Sequence, residues 1–232
     1  SVEGNFDDTQ TGVKEIFTDA TLGKKLEDSG LMFSSANSIN WGRLMPQIVY
    51  YFSAYLDMVT SLEIIMGDTV NVCVPTGNFG NILAAYYAKQ MGLPLGKFIC
   101  ASNENHVLTD FFETGVYNAN REFTLTNSPS MDILISSNLE RLLFELEERE
   151  DSVVKAMMDS LAETGEYKVS PAAKEKMDQE FYGGYASEKE TTDTIASLFA
   201  AYDYLCDTHT AVAVSVCREY QKKTGDKTKT II

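Results

Sequence analysis

Apolar positions along the chain follow two periods, and their alternation predicts strands and helices in turn. Val70 to Val74 and Lys97 to Ala101 are nearly continuous apolar runs, as expected of parallel strands covered on both faces, and a helical pattern beginning near Ile82 lies between them. Val2 to Asp8 reads as a strand end and turn. A helix follows over about Thr9 to Asp19, with Asp8 as its N-cap and Val13, Ile16 and Phe17 on one face. Leu31 to Ser34 reads as a short strand, after which a polar loop passes into a long apolar helix that continues beyond Pro46. From Thr191 the pattern gives two buried helices, TIASLFAAYDYLCD and HTAVAVSVCREYQKK, the second capped by Asp207 or Thr208, and then a strand starting in KTKTII. Between about Asn103 and Lys189 charge rises: LERLLFELEERE has leucines at helical spacing, and KEKMDQEFYGGYASEKE reads as a solvated excursion. The pattern predicts an α/β fold, a three-layer parallel-sheet core with a mostly helical elaboration.

One junction in this pattern carries chemistry. The strand from Val70 runs into Thr76-Gly77-Asn78-Phe79-Gly80-Asn81 and directly into a helix. Gly77 and Gly80 are expected to allow positive φ and close backbone approach, and Asn81 to serve as N-cap, so that first-turn N–H groups face an anion. The same turn could simply close a βα corner, but Asn78 and Asn81 add amide donors that a plain corner does not need. No Lys-Ser or Lys-Thr pair follows the second glycine, and the spacing is not G-x-G-x-x-G, which argues against ATP and NAD. A phosphorylated small molecule is the expected guest.

Charge narrows the partners further. With 34 acidic and 19 basic side chains the formal net charge is −15, which disfavours nucleic acid and anionic membranes while leaving room for one phosphate held by local dipoles. Cys73, Cys100, Cys206 and Cys217 lack C-x-x-C spacing and sit in apolar contexts, so buried reduced thiols and a cytoplasmic location are expected. Two histidines, His106 and His209, give no metal-site pattern. Ser1 stands where an initiator methionine would, and KTKTII stops soon after turning apolar, so the chain is expected to be part of a longer protein.

A second polar constellation, SANSINWGR, sets Asn37, Ser38 and Asn40 just ahead of Arg43. Turn and cap duty explains such residues, and so does a second anion site built from amide, hydroxyl and guanidinium donors. GNFDDTQTGVKEIF, SANSINWGRLMPQIVYYFSAY, VNVCVPTGNFGNILAAYYAKQMGLP, ICASNENHVLTDFF and DTHTAVAV occur in the same order and with similar wording in threonine synthases. The chain resembles that family, pyridoxal 5′-phosphate (PLP) enzymes of the tryptophan synthase β-like fold, most weakly between about Thr114 and Lys189.

The resemblance implies that Gly77, Asn78, Phe79, Gly80 and Asn81 hold the cofactor phosphate, and that Asn37, Ser38 and Arg43 hold the phosphate of O-phosphohomoserine. It implies a smaller catalytic subdomain in residues 1–28, a large PLP-phosphate-binding domain in 29–104 and 190–232, and the elaboration in 105–189. Asp207-Thr208-His209 resembles a family turn that usually carries proline at the middle position, and is expected to cap a helix, as Asp7 and Asp8 are. No lysine here stands in the family's Phe-Lys-Asp context, so the lysine that bonds the cofactor is expected in the rest of a threonine synthase chain, leaving these residues without a catalytic group. A dehydratase-like lyase of the same fold and a non-catalytic phosphate-binding relative are the alternatives.

Overall fold

The computed structural model describes residues 6–34 and 36–232. In chain order the elements are α1 (Phe6–Thr18), α2 (Ala20–Asp28), α3 (Trp41–Leu44), α4 (Ile48–Thr60), β1 (Val70–Pro75), α5 (Gly80–Gln90), β2 (Leu95–Ser102), α6 (Val107–Thr114) and β3 (Val116–Asn118). They continue with α7 (Leu139–Leu146), α8 (Asp151–Thr164), β4 (Glu166–Lys168), α9 (Pro171–Glu180), β5 (Phe181–Tyr185), α10 (Glu188–Tyr202), α11 (Thr208–Thr224) and β6 (Thr230–Ile231). Among the described residues four strands pair in the order β5-β2-β1-β6, all parallel, while β3 and β4 form a separate antiparallel pair.

The side-chain alternation of the strands builds two cores. Val70, Val72 and Val74 of β1 and Phe98 and Cys100 of β2 join the larger cluster with α5, α6 and α7. Cys73, Ile99 and Ala101, one residue out of phase, join a second cluster with Val212, Val216 and Tyr220 of α11. Helices therefore cover both faces, as the continuous apolar strands predict. The four cysteines are free and buried, and burial pushes the Cys100 thiol up to about 12.

Several expectations change. The first helix starts at Phe6, so Asp8 lies inside it rather than at its cap, and residues 2–5 lie outside the described residues. Leu31 to Ser34 forms no strand. No partner strand lies beside it among the described residues, and Phe33 instead stacks on Phe17 at 4.9 Å. Pro46 splits the long helix: α3 ends at Leu44 and a 3-10 turn, Met45–Gln47, leads into α4, because proline brings no N–H to an α-helical ladder. The supposed solvated excursion contains α9 and β5, and β5 is the edge strand of the main sheet. Within it, a Cβ on Gly183 would lie 2.9 Å from Thr109 Cα, so glycine is required by the close approach of α6. Finally, α10 is only partly buried, through Thr191, Thr194 and Leu198, while Phe199 and Tyr202 are exposed.

The short β6 is secured by a carboxylate. Asp226 accepts from Asn71 Nδ2 at 2.8 Å, from the Tyr220 hydroxyl at 2.7 Å and from the Thr228 N–H at 2.9 Å. Donors led by Thr228 hold this carboxyl far below the usual carboxylate range. A folded value below the unfolded one gives stability that is complete above the unfolded pKa, near ~3.9, and is lost as pH falls through the folded value. Unfolding measured from about pH 5 downward should show that loss. Asp226→Asn should flatten part of the acid slope and lower stability at neutral pH; an unaltered slope would remove Asp226 as a contributor.

Candidate functional site

At the carboxyl end of β1 the chain turns through Thr76 to Phe79 and enters α5. The buried Thr76 closes the strand: its N–H donates to the Ala101 carbonyl at 2.9 Å and its hydroxyl to the Val74 carbonyl at 2.7 Å. Phe79 then takes φ 64° and ψ 0°, the left-handed region, as the N-cap residue of α5. For a residue with a Cβ this costs roughly 1–2 kcal/mol. Its fully buried ring, packed on Phe112 and Phe181 at 6.1 and 6.4 Å, supplies the packing that holds it there.

The positive φ expected at Gly77 and Gly80 is therefore found at Phe79 instead. The glycines serve close approach. A Cβ on Gly77 would lie 2.5 Å from the Ser130 carbonyl oxygen, and one on Gly80 would lie 2.5 Å from Ser38 Cβ. Nor is Asn81 the N-cap. It is the second residue of α5, where its Nδ2 donates to the Pro75 carbonyl at 2.8 Å and its Oδ1 accepts from the Ile82 N–H.

Among the described residues, none of the N–H groups from Gly77 to Asn81 donates to a protein acceptor. The carbonyls of the same turn are held. Gly77 O accepts from Ser136 Oγ at 2.7 Å, Asn78 O from the Asn138 N–H and Nδ2 at 3.1 and 2.8 Å, and Asn81 O from the Tyr51 hydroxyl at 2.8 Å. Burial raises the Tyr51 hydroxyl well above the ordinary phenol range, which keeps it a donor. Because a trans peptide opposes its C=O and N–H, anchoring the carbonyls on one side presents the following amides to the other.

That other side is a cleft of about 490 Å³, lined by Ala36, Asn37 and Ser38 on one wall, Gly77, Asn78, Gly80 and Asn81 on another, and Ser130 and His209 on a third. Neighbouring strands β2 and β6 lie on opposite sides of β1, so the cleft opens at the switch point of the sheet, where open α/β sheets bind ligands. Two helices start there, α5 and α11, the latter through His209 at its second position. Among the described residues no lysine, arginine, aspartate or glutamate lines the cleft, which leaves main-chain amides and uncharged polar side chains to meet a ligand there.

The second constellation is brought to the first by Gly80, on which Ser38 sits. Asn37 Oδ1 accepts from the Ile39 N–H and Asn40 caps α3 through the Gly42 N–H, so turn and cap duty is real for both. Asn37 and Ser38 nevertheless line the cleft. Arg43 does not: it is exposed on α3 and outside the lining. Asp207 caps α11 through the His209 and Thr210 N–H groups. His209 Nε2 accepts from the Ser130 N–H at 3.2 Å, which places its ring hydrogen on Nδ1, 3.4 Å from Asp207 Oδ1. Gln47, Ser130, Asn138, Arg141 and His209 are parts of the site that sequence reasoning did not assign to it; only His209, two residues after a capping aspartate, carried a readable signal.

No family model matches the chain. It is 36% identical over 252 residues to the threonine synthase of Schizosaccharomyces pombe, an alignment spanning 100% of this chain and 48% of that protein. The crystal structure of PLP-bound threonine synthase from Brucella melitensis superposes on 100% of this chain, and 47% of its own, with a TM-score of 0.86 and 42% identity. This chain is a homologue of threonine synthase. The architecture is the fold-type-II, tryptophan synthase β-like arrangement, and the threonine synthase likeness runs through residues 114–189, where motifs are fewest. A human protein named threonine synthase-like 1 is 48% identical over 225 residues, 96% of this chain and 30% of that protein. The chain thus spans about half the length of the two threonine synthases and less of the human relative.

Proposed function

We propose that this chain forms the phosphate-binding portion of a PLP-dependent threonine synthase, which converts O-phosphohomoserine and water to threonine and phosphate. The observation that carries the reading is the row of main-chain amides from Gly77 to Asn81 that meet no acceptor among the described residues, in a turn whose Gly77, Asn78, Gly80 and Asn81 line the cleft. The fit to PLP is good in kind. A phosphate needs several donors, close backbone approach and no facing carboxylate, and the two crowded glycines and the uncharged lining supply all three. When bound, PLP supplies a conjugated ring that stabilises negative charge on substrate carbons.

The residues of the chain do the holding and orienting. Gly77, Asn78, Phe79, Gly80 and Asn81 bind the cofactor phosphate, with Phe79 and Asn81 acting through their backbone N–H groups because the ring is buried and the amide side chain is engaged at Pro75. Asn37 and Ser38, on the wall facing α5, receive the substrate phosphate, and Arg43, in the last turn of α3 and outside the cleft lining, swings its exposed guanidinium to that phosphate when the substrate binds. Among the described residues no lysine lines the cleft. We therefore assign the cofactor-linking lysine to sequence beyond these 232 residues, which alone should bind without turnover. The setting is proposed to be cytoplasmic; among the described residues no helix is long and apolar enough to cross a membrane.

The intact enzyme should release inorganic phosphate from O-phosphohomoserine, and Arg43→Ala should lower kcat/KM by about 100-fold, as expected for loss of a charge-assisted contact in the transition state. An unchanged kcat/KM would take Arg43 out of the site. A second reading, a threonine-synthase-like protein that binds phosphorylated ligands without this reaction, is favoured by the higher identity to threonine synthase-like 1. Retained PLP without phosphate release would select it, and failure to bind PLP would remove the enzyme reading, with failure to bind inorganic phosphate as well removing both.

A further inference from the structure

The helix α7 lies in the elaboration to which no role has been given, and one of its side chains touches one wall of the cleft and reaches the other through Asn138. Arg141 Nη1 donates to the Ser38 carbonyl at 3.0 Å and to Asn138 Oδ1 at 2.7 Å, and Nη2 donates to the Ile39 carbonyl at 2.6 Å. Asn138 in turn donates to the Asn78 carbonyl through both its N–H and its Nδ2. A continuous chain of hydrogen bonds thus runs from the Ser38 loop, through one planar guanidinium and one amide, to the centre of the Gly77–Asn81 turn. We propose that Arg141 is a positioning residue that clamps the Ser38 loop against the Asn78 turn, fixing the spacing of two anion subsites, one for each phosphate of a cofactor–substrate pair. This deepens the reading of the cleft given above and rests on it.

Three features favour a clamp over a surface contact. The guanidinium satisfies carbonyls rather than a carboxylate: no ion pair to Arg141 occurs among the described residues, so no carboxylate neutralises its charge next to the Ser38 loop. The fork geometry matters, since two adjacent carbonyls and a side-chain amide are met by one rigid plane, which a lysine ammonium on a flexible stem cannot reproduce. Ser38 has no room to settle closer to the turn, because it already packs on Gly80, so the clamp holds the loop at its contact distance.

The test is a titration of the 232-residue chain with inorganic phosphate, reading backbone amide resonances of Gly77–Asn81 and Asn37–Ile39 separately, in the native sequence and in Arg141→Lys and Arg141→Ala. In the native chain both groups should respond. In either variant the response at Asn37–Ile39 should weaken about ten-fold or more, the scale of a lost charge-assisted contact, while Gly77–Asn81 keep their affinity within about three-fold. Added guanidinium ion should partly restore Arg141→Ala but not Arg141→Lys. Equal responses at Asn37–Ile39 in native and variant chains, or no response there in the native chain, would overturn the clamp. Silence at Gly77–Asn81 with a clamp-dependent response at Asn37–Ile39 would instead sink the cofactor assignment and leave the clamp standing.

Discussion

Gly77→Ala should lower stability by about 1–3 kcal/mol and weaken PLP binding on the order of 100-fold. The methyl group would arrive 2.5 Å from the Ser130 carbonyl oxygen, well inside van der Waals contact, and the obstacle is backbone in the Pro129–Met131 3-10 turn. No rotamer change relieves that. Either the Ser130 turn retreats, pulling on the Ser130 to His209 hydrogen bond, or Gly77 moves and the row of amides loses its common focus. Each displaced amide forfeits a hydrogen bond to a dianion, worth roughly 1.5–3 kcal/mol, so a shift that spoils one or two accounts for the loss. Gly80→Ala meets Ser38, a side chain at a loop, and should be the milder of the two in stability. Denaturant unfolding and fluorescence titration with PLP measure both terms. An alanine variant that melts and binds as the native chain does would show that this contact is not a constraint.

Phe181→Ala should cost about 3–5 kcal/mol, the range for deleting a buried aromatic ring. Phe181 opens the edge strand β5 and is 5% exposed. Its ring stacks on Phe112 at 5.0 Å and 8°, and lies 5.1 Å from Phe98, 6.3 Å from Tyr86 and 6.4 Å from Phe79. Removing it opens a cavity bounded by α5, α6 and β2, which cannot close without moving a strand. Phe199→Ala on α10 is the control: that ring is 53% exposed, and the change should stay within about 0.5 kcal/mol. Urea midpoints for the two variants should differ several-fold in displacement from the native value; equal displacements would place the core elsewhere.

Much of this architecture was legible because its causes are local. Val70–Val74, the turn from Thr76 and the helix after it are dictated by apolar continuity and glycine placement, and Asp207 announces α11 by capping it. The errors share a different origin. Leu31–Ser34 looks like a strand but has no neighbour to pair with, whereas Phe181–Tyr185 looks like a polar loop yet is pulled into the sheet by β2 and by aromatic packing. Pairing partners are distant in sequence, so periodicity alone cannot choose between these two segments. The cleft shows the same division. Its amides were foreseen from Gly77 to Asn81, but the left-handed conformation fell on Phe79, because a buried ring can impose what a glycine would merely allow. Arg141 and Asn138 stayed hidden since each acts through carbonyls about 60 to 100 positions away, and a carbonyl leaves no trace in composition.

The ring of Phe79 has one more consequence. Its backbone shapes the turn while its side chain is wedged into the Phe112 and Phe181 stack, so heat resistance and ligand occupancy are two readings of a single equilibrium. Anything that binds the native turn raises the melting temperature as the logarithm of its concentration over Kd. Raising the supply of such a ligand should therefore raise the fraction of the chain that stays folded, with no new contact in the core.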